Sequence, residues 1–249
     1  MINEKKIEWL LHSKTTEYKK SVAAAHRVIE KAGETKVKFV CQWSGGKDST
    51  VLTHLVKKKM PDVPVLTQFD DCDWDDKKPY IERITSQFGW DVIAVYPDFS
   101  VFDMMIANNP GYNSVCKQSH SVTIESFIRP LEKKTEELNC TGRFLGLRNE
   151  ESIGRRMNYR KRGAIYTTKA GWTVCNPLYS WTTKDVFAYL TDNNIEINPC
   201  YLKNRFREPE NIRLAWAVPT NSVNMLGDVE HIKYYYPKLL CRLKDCKII

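Results

Sequence analysis

The chain has 249 residues, 42% apolar and 27% charged, with 38 lysines and arginines against 30 aspartates and glutamates. This is the composition of a globular protein with a sizeable core, not of a disordered or fibrous one. No apolar run reaches the roughly 18–20 residues of a membrane span, and the polar N-terminus lacks the apolar core of a signal peptide. A cytoplasmic location without membrane association is therefore expected. The eight cysteines, at 41, 72, 116, 140, 175, 200, 241 and 246, form no C-x-x-C pair, so reduced thiols are expected rather than a disulfide framework or a zinc finger. The net charge of +8 suits a polyanionic partner such as ATP, another phosphate compound or nucleic acid.

Ile7, Leu10, Leu11, Val22, Ala25, Val28 and Ile29 recur at helical spacing and predict one long helix over the first 30 residues, stopped at Gly33. A buried strand is predicted over 36–43, followed by Ser44-Gly45-Gly46-Lys47-Asp48-Ser49-Thr50 and a helix through Val51, Leu52, Leu55 and Val56. The alternation continues with a strand at 63–69, a helix at 77–88 ending on Gly89, and a strand at 91–96. A helix at 119–139 broken at Pro130 and a short strand at 143–147 complete it. Strands separated by helices of this length need crossover connections, which predicts an α/β, Rossmann-like, mostly parallel sheet with helices on both faces. Beyond Glu150 a basic stretch leads to a hairpin (164–168 and 172–175, turning at Lys169-Ala170-Gly171) and a helix at 183–192 capped by Thr182 or Thr183. The expected organisation is an N-terminal helix (1–33), a nucleotide-binding α/β domain (34–195) and a C-terminal appendage (196–249).

The segment 44–50 lies between a strand end and a helix start, where unpaired backbone N–H groups and the helix dipole favour an anion. Gly45 and Gly46 let the backbone approach phosphate oxygens, and Lys47 supplies a point charge. Ser44, Ser49 and Thr50 offer hydroxyl donors. Asp48 would repel a bare anion, but it makes sense as a ligand of the magnesium ion that a nucleotide brings with it. A Walker A loop fails here because Cys41 and Asp48 stand where glycine and Ser/Thr are required, and no G-x-G-x-x-G fingerprint is present. The plain alternative is a Gly-Gly turn with a solvent-facing lysine.

Ser44-Gly45-Gly46-Lys47-Asp48-Ser49 resembles the pyrophosphate loop of the adenine nucleotide α-hydrolase-like ATP pyrophosphatases. Leu145-Gly146-Leu147-Arg148-Asn149-Glu150-Glu151-Ser152 with Arg155-Arg156, and Asn176-Pro177-Leu178 through Asp185-Val186, resemble two blocks of the phosphoadenosine-phosphosulfate reductase family. Asn198-Pro199-Cys200-Tyr201 is similar to the Asn-Pro-Leu-Tyr that follows in that family. The resemblance covers roughly residues 36–201. It implies a Rossmann-like sheet, ATP cleaved to AMP and pyrophosphate to activate a substrate, and magnesium as companion ion. It also implies nucleotide contacts from the loop, Arg148, Ser152, Arg155 and Arg156, with Phe69 beside the adenine.

The position of Arg148 at a strand's C-terminal end independently puts it where an open α/β sheet binds its ligand; the alternative is an ion pair with Glu150 or Glu151. Lys47, Asp48 and Arg148 are thus the catalytic candidates. Arg155, Arg156, Arg160, Lys161 and Arg162 occupy five of eight positions, with Tyr159 interleaved. They could grip DNA or a second anionic substrate, or form a solvated helix face.

The aspartates at 70, 71, 73, 75 and 76 suggest a polar strand-end loop that could supply a magnesium carboxylate. Asp76 stands where an EF-hand needs glycine, and Pro79 interrupts. Cys116 lies at a predicted helix start that would lower its pKa. Cys241 and Cys246 could carry sulfur or redox chemistry. His54 and His120 read as packing or hydrogen-bonding residues. No iron–sulfur cluster is expected, since Cys116 lacks a companion at cluster spacing.

Three functions remain in view: an ATP pyrophosphatase in sulfur transfer, a thiol-dependent phosphosulfate reductase, and a regulatory nucleotide-binding module without turnover. By resemblance, the reductases lack the equivalents of Lys47 and Asp48 and end in a Glu-Cys-Gly-type tail absent here, which favours ATP cleavage. Sulfate adenylyltransferase small subunits and flavin nucleotide adenylyltransferases are further relatives by the same resemblance. The nearest thematic match is the cluster-free ATP pyrophosphatase of DNA-phosphorothioation systems, implying DNA and a sulfur donor such as a cysteine desulfurase as partners. A homo-oligomer stays open.

Overall fold

A computed structural model describes residues 2–108, 124–206, 208–212 and 225–245. Cys116, His120 and Cys246 lie outside the described residues, as do residues 119–123 at the start of one expected helix. The elements that carry the site are β1 (Phe39–Gln42), α3 (Lys47–Lys59), β2 (Val65–Gln68), α4 (Lys77–Phe88), β3 (Val92–Val95), β4 (Gly142–Phe144), β5 (Ile165–Thr167) and β6 (Thr173–Cys175). They form a six-stranded sheet of order β3-β2-β1-β4-β6-β5, parallel except for β5 against β6. Strand order reverses beside β1, so the loop after β1 opens at the switch point where such sheets bind ligands.

Strand alternation divides the core. Phe39, Cys41, Val65, Phe144 and Cys175 join the large cluster with Val51, Leu52, Leu55 and Val56 of α3. Val40, Leu66 and Val95 on the opposite face join Leu131 and Cys140. Leu131 lies on α6 (Arg129–Glu137), which follows a π-helical turn at Ile124–Ile128. Pro130 therefore does not break this helix; it sits in the first turn, where its missing N–H costs nothing. A further helix, α5 (Val101–Asn108), was not expected from the sequence.

The N-terminal expectation needs correction. Two helices, α1 (Ile2–Ser13) and α2 (Thr16–Gly33), replace the single long one. The Thr15 hydroxyl accepts from the Tyr18 N–H and starts the second helix, while Ser13 and Lys14 bond Asp192. The apolar stripe holds in α2, where Ala25 and Ile29 are buried and Val22 and Val28 pack on the core, but not in α1, where Ile7, Leu10 and Leu11 are exposed and Trp9 is buried. Trp9 stacks on Phe187 of α8 (Thr183–Asp192), centroids 4.4 Å apart. Burying a large apolar side chain stabilises by about 1.5–3 kcal/mol, so this contact sets how the helix pair docks.

The later predictions hold closely. Gly89 ends α4 in the left-handed region at φ 62°, Gly171 turns the hairpin at φ 86°, and Thr182 caps α8. The basic stretch forms α7 (Ile153–Arg162). At the C-terminal end, Ile232 of α9 (Met225–Tyr235), Leu239 and Leu243 of α10 (Pro237–Asp245), and Tyr236 between the two helices pack onto Cys72, Val101 and Phe102. Among the described residues, no helix is long and apolar enough to cross a membrane.

His54 is a packing and hydrogen-bonding residue, as read from sequence. Its Nδ1 lies 2.9 Å from the Tyr189 hydroxyl, and its ring packs against Phe88 and Trp90. Burial pulls the imidazole down to about 4 from its ordinary 6.5, so protonation favours unfolding. The stability this provides is complete above pH ~6.5 and lost as the pH falls toward 4. Urea unfolding at pH 7.5 and 4.5 should show a smaller acid-induced loss in His54→Gln than in the parent chain; equal losses would remove His54 from the acid response.

Candidate active site

Gly45 adopts φ +75°, a region that costs other residues, and Gly46 leads into α3 from an extended conformation. The hydroxyls the loop was expected to aim outward mostly brace it. The Ser44 N–H donates to Ser49 Oγ (3.2 Å), the two hydroxyls lie 3.0 Å apart, and Ser49 Oγ donates to the Gly46 carbonyl (3.0 Å). Thr50 is fully buried, accepts from Trp43 Nε1 at 2.9 Å and does not line the cavity. Ser44, Gly46, Lys47, Asp48 and Ser49 do line it.

The first turn of α3 carries the charges. The Asp48 carboxylate accepts from Arg148 Nε at 2.5 Å on one oxygen and meets Lys47 Nζ at 3.1 Å on the other. Lys47 and Arg148 are only 5% and 3% exposed, so these charges persist because they are paired. Both readings of Arg148 are thereby modified. It does approach Glu150, at 3.5 Å, but its closest partner is Asp48, and it sits behind that carboxylate rather than on the cavity wall. Its geometry is that of a positioning residue for Asp48. The triad carries a net charge of +1, which leaves the loop attractive to phosphate.

Gly146, after β4, lets this pairing close. A Cβ there would meet the Asp48 carbonyl carbon at 3.1 Å and the Ser49 nitrogen at 3.2 Å, both backbone atoms that cannot swing aside. Two further partners come from the segment 198–201. Asn198 Nδ2 donates to the Gly45 carbonyl (3.1 Å), and Tyr201 Oη accepts from the Lys47 N–H (3.1 Å), with Lys47 Nζ 5.1 Å from its ring centroid. Burial pushes the Tyr201 phenol well above its ordinary pKa, so it stays neutral. The sequence pointed to this Asn-Pro-Cys-Tyr segment only as a resemblance; nothing local marked its contact with a loop some 150 residues away.

The remaining candidates divide. Ser152 caps α7 by accepting from the Arg155 N–H, and Arg155 lines the cavity while paired with Glu151. Arg156 and Phe69 are not on its wall. The Phe69 ring packs on the main core, with Lys77 Nζ 5.6 Å from its centroid. The aspartate run after β2 works structurally: Asp71 accepts from Ser100 Oγ (2.5 Å) and the Val101 N–H (2.9 Å) at the start of α5, and Asp76 accepts from Lys203 and Tyr236. Among the described residues no cysteine lines the cavity. Cys41, Cys72, Cys140, Cys175 and Cys200 are buried, and burial raises each thiol pKa, that of Cys41 to about 12. Cys241 is exposed on α10.

Gly146→Ala should weaken inorganic pyrophosphate binding at least about tenfold, or ~1.4 kcal/mol. Gly154→Ala, where a Cβ meets only Ser152 Oγ at 3.9 Å, should leave it unchanged. Calorimetric titration of both variants checks this, and equal affinities would show that the close approach does not shape the loop.

The chain matches the phosphoadenosine phosphosulfate reductase domain over residues 38–234. It is similar to the phosphoadenosine 5′-phosphosulfate reductase of Buchnera aphidicola subsp. Acyrthosiphon pisum (strain Tuc7), 23% identical over 207 residues and covering 79% of this chain and 71% of the relative. That of Proteus mirabilis (strain HI4320) is 22% identical, covering 72% and 71%. Against the relative from Buchnera strain 5A, the match spans 63% of the relative's length. Among solved structures, phosphoadenylyl-sulfate reductase from Candida auris in a phosphate complex aligns with TM-score 0.56 and 16% identity, over 70% of this chain and 82% of that one. FMN adenylyltransferase from Candida glabrata, in complex with FAD and inorganic pyrophosphate, aligns with TM-score 0.59 and 13% identity over 92% and 78%. The U34-tRNA thiolase NcsA from Methanococcus maripaludis, with its [4Fe-4S] cluster, aligns with TM-score 0.54 and 12% identity over 93% and 80%. These structures share the fold, and the sequence match decides the family: this chain belongs to the phosphoadenosine phosphosulfate reductase domain family.

Proposed function

We propose that the protein is an ATP pyrophosphatase that transfers AMP to an acceptor in a sulfur-transfer pathway. The observation that carries this reading is the Lys47–Asp48 pair in the first turn of α3, closed by the buried Arg148 from the loop after β4. A nucleophile on the acceptor forms a bond to the α-phosphorus of ATP as the bond to the α,β-bridging oxygen breaks; pyrophosphate takes that electron pair and leaves. Negative charge grows on the pyrophosphate. In this reading Lys47, the α3 N-terminus and the glycine backbone hold that charge, since preorganised electrostatic stabilisation is the main source of catalysis in phosphoryl transfer. Arg148 orients Asp48, and Tyr201 and Asn198 hold the loop.

Magnesium fits as an ion carried in by the nucleotide. Among the described residues, the loop brings one carboxylate to the site, Asp48, so phosphate oxygens and water would complete its coordination. When bound, the ion neutralises phosphate charge.

The acceptor side is suggested by α7. None of its residues is buried, and Arg156, Arg160 and Lys161 have no carboxylate within 4.0 Å among the described residues. A phosphodiester backbone such as DNA suits such a face, with a cysteine desulfurase as the sulfur donor that this pathway would require. A homo-oligomeric, cytoplasmic enzyme is compatible with this scheme.

The test is incubation with α-labelled ATP and magnesium, with and without DNA. AMP and pyrophosphate are the expected products. ADP alone, or no turnover with any acceptor, overturns the proposal, the latter in favour of a regulatory module. Sulfite release from phosphoadenosine phosphosulfate with a thiol reductant would instead support the reductase activity named for the relatives. Lys47→Ala and Asp48→Ala should each lower AMP formation by about 10²–10³-fold with unchanged circular dichroism; parental rates in either would displace the site. The triple Arg160/Lys161/Arg162→Ala variant should bind DNA more weakly and with a shallower salt dependence, while unchanged binding removes α7 from the scheme.

A further inference from the structure

The cavity of about 730 Å³ beside the loop has a second lobe, on the sheet face covered by α6. Register places its polar residues. Gln42 pairs with Leu66, Arg143 with Val40 and Gln68 with Val95. In-register residues of a parallel sheet share a face, and successive residues alternate, so Gln68, Gln42 and Arg143 lie on one face. They form a diagonal row across β2, β1 and β4, each two residues out of step with the next. Diagonal neighbours of this kind stand about 7–8 Å apart, enough for a flat molecule to bridge their side-chain ends.

Each of these residues has a buried polar atom with no partner: Gln42 Nε2, Gln68 Oε1 and Arg143 Nε. Gln68 is only 3% exposed, and its amide orientation is fixed because Nε2 donates to the Ser126 carbonyl at 2.6 Å. A buried donor or acceptor left unmade costs roughly 1–3 kcal/mol, and native proteins hold few of them. A donor and an acceptor left unpartnered on two residues that line one cavity from adjacent strands therefore describe the ligand edge they are missing.

That ligand is not a phosphate. The two amides are neutral, and the Arg143 charge is already met by Glu132, at 2.8 Å from Nη2. Two aromatic surfaces flank the lobe. The Arg143 guanidinium lies 4.0 Å from the Trp172 ring centroid, and Phe127, on the π-helical turn, is 37% exposed along the same wall. Aromatic side chains beside a few convergent polar atoms recognise flat heterocycles by stacking and edge hydrogen bonds. π-Helical turns themselves are frequent at functional sites.

We infer that this lobe binds the acceptor through a flat heterocyclic ring whose edge carries an N–H beside a carbonyl, the edge shown by uracil and guanine. Gln42 Nε2 donates to the ring carbonyl, and Gln68 Oε1 accepts from the ring N–H. The inference rests on the ATP-cleavage reading only in assigning the ring to the acceptor. An acceptor must share the cavity with the triphosphate, and this lobe opens directly onto the loop.

Equilibrium dialysis of the full chain with labelled uridine and guanosine tests it without any turnover, so its result is separate from that of the AMP assay. At least one of the two nucleosides should bind with saturating α,β-methylene-ATP present. Gln68→Met and Gln42→Met should weaken that binding at least tenfold while leaving affinity for the ATP analogue unchanged. Gln42, at the strand's open end, gives the readout if the more buried Gln68 variant folds poorly. Failure of both nucleosides to bind, or unchanged affinity in a folded Gln42→Met, overturns the inference. So does displacement by α,β-methylene-ATP or adenosine, which would make the lobe the seat of the adenine.

Discussion

The Asp48 carboxylate, held between Lys47 and Arg148, is the interaction around which the site is built. It joins the first turn of α3 to the loop after β4, two segments 100 residues apart that the β1–β4 pairing brings side by side. The Lys47 and Arg148 charges, buried this deeply, would each be costly without the partly exposed Asp48 carboxylate between them. Together they fix the loop's position and leave one unit of positive charge in excess. Gly146 belongs to the same constraint, because any side chain there would hold the two backbones apart.

The rest of the molecule supports that junction from behind. Asn198 and Tyr201 reach the loop from a 3₁₀ segment following α8, binding the Gly45 carbonyl and the Lys47 N–H. α8 is in turn fixed by Trp9 on Phe187 and by the hydrogen bond between His12 and Asp185. Arg148 closes the circuit by approaching the Trp181 carbonyl, while Trp181 Nε1 donates to the Ser21 carbonyl of α2. The N-terminal helix pair thus braces the loop from behind, through α8 and Trp181. A loop held at this many points can present backbone donors to phosphate without paying for its ordering on each binding event.

Family membership and site chemistry address different questions. Membership follows from the match over 38–234, and it extends to a domain whose curated relatives are phosphosulfate reductases. The chemistry of the described cavity is cationic and phosphate-directed on one side, amide-lined on the other, and its wall bears no thiol among the described residues. The proposed adenylyl transfer rests on the cationic side, where Lys47 and Asp48 meet the glycine loop.

The parallel α/β order, the placement of 44–49 between strand and helix, and the ends of α4, the hairpin and α8 were legible in the sequence. All are local: apolar period, capping threonines, and glycines at 89 and 171 where φ must be positive. The N-terminal helices were misread because spacing cannot say which apolar residues meet a partner; Trp9 is buried and Ile7 and Leu11 exposed only because α8 lies against one side. Composition gave a charge of +8 and a reason to look for phosphate. It could not say that Arg148 would face Asp48 instead of solvent, that the Ser49 and Thr50 hydroxyls would brace the loop, or that Gln42, Gln68 and Arg143 would share a row. Those are products of strand order and register, which couple residues far apart in the chain, and a sequence read for local pattern carries no term for that coupling.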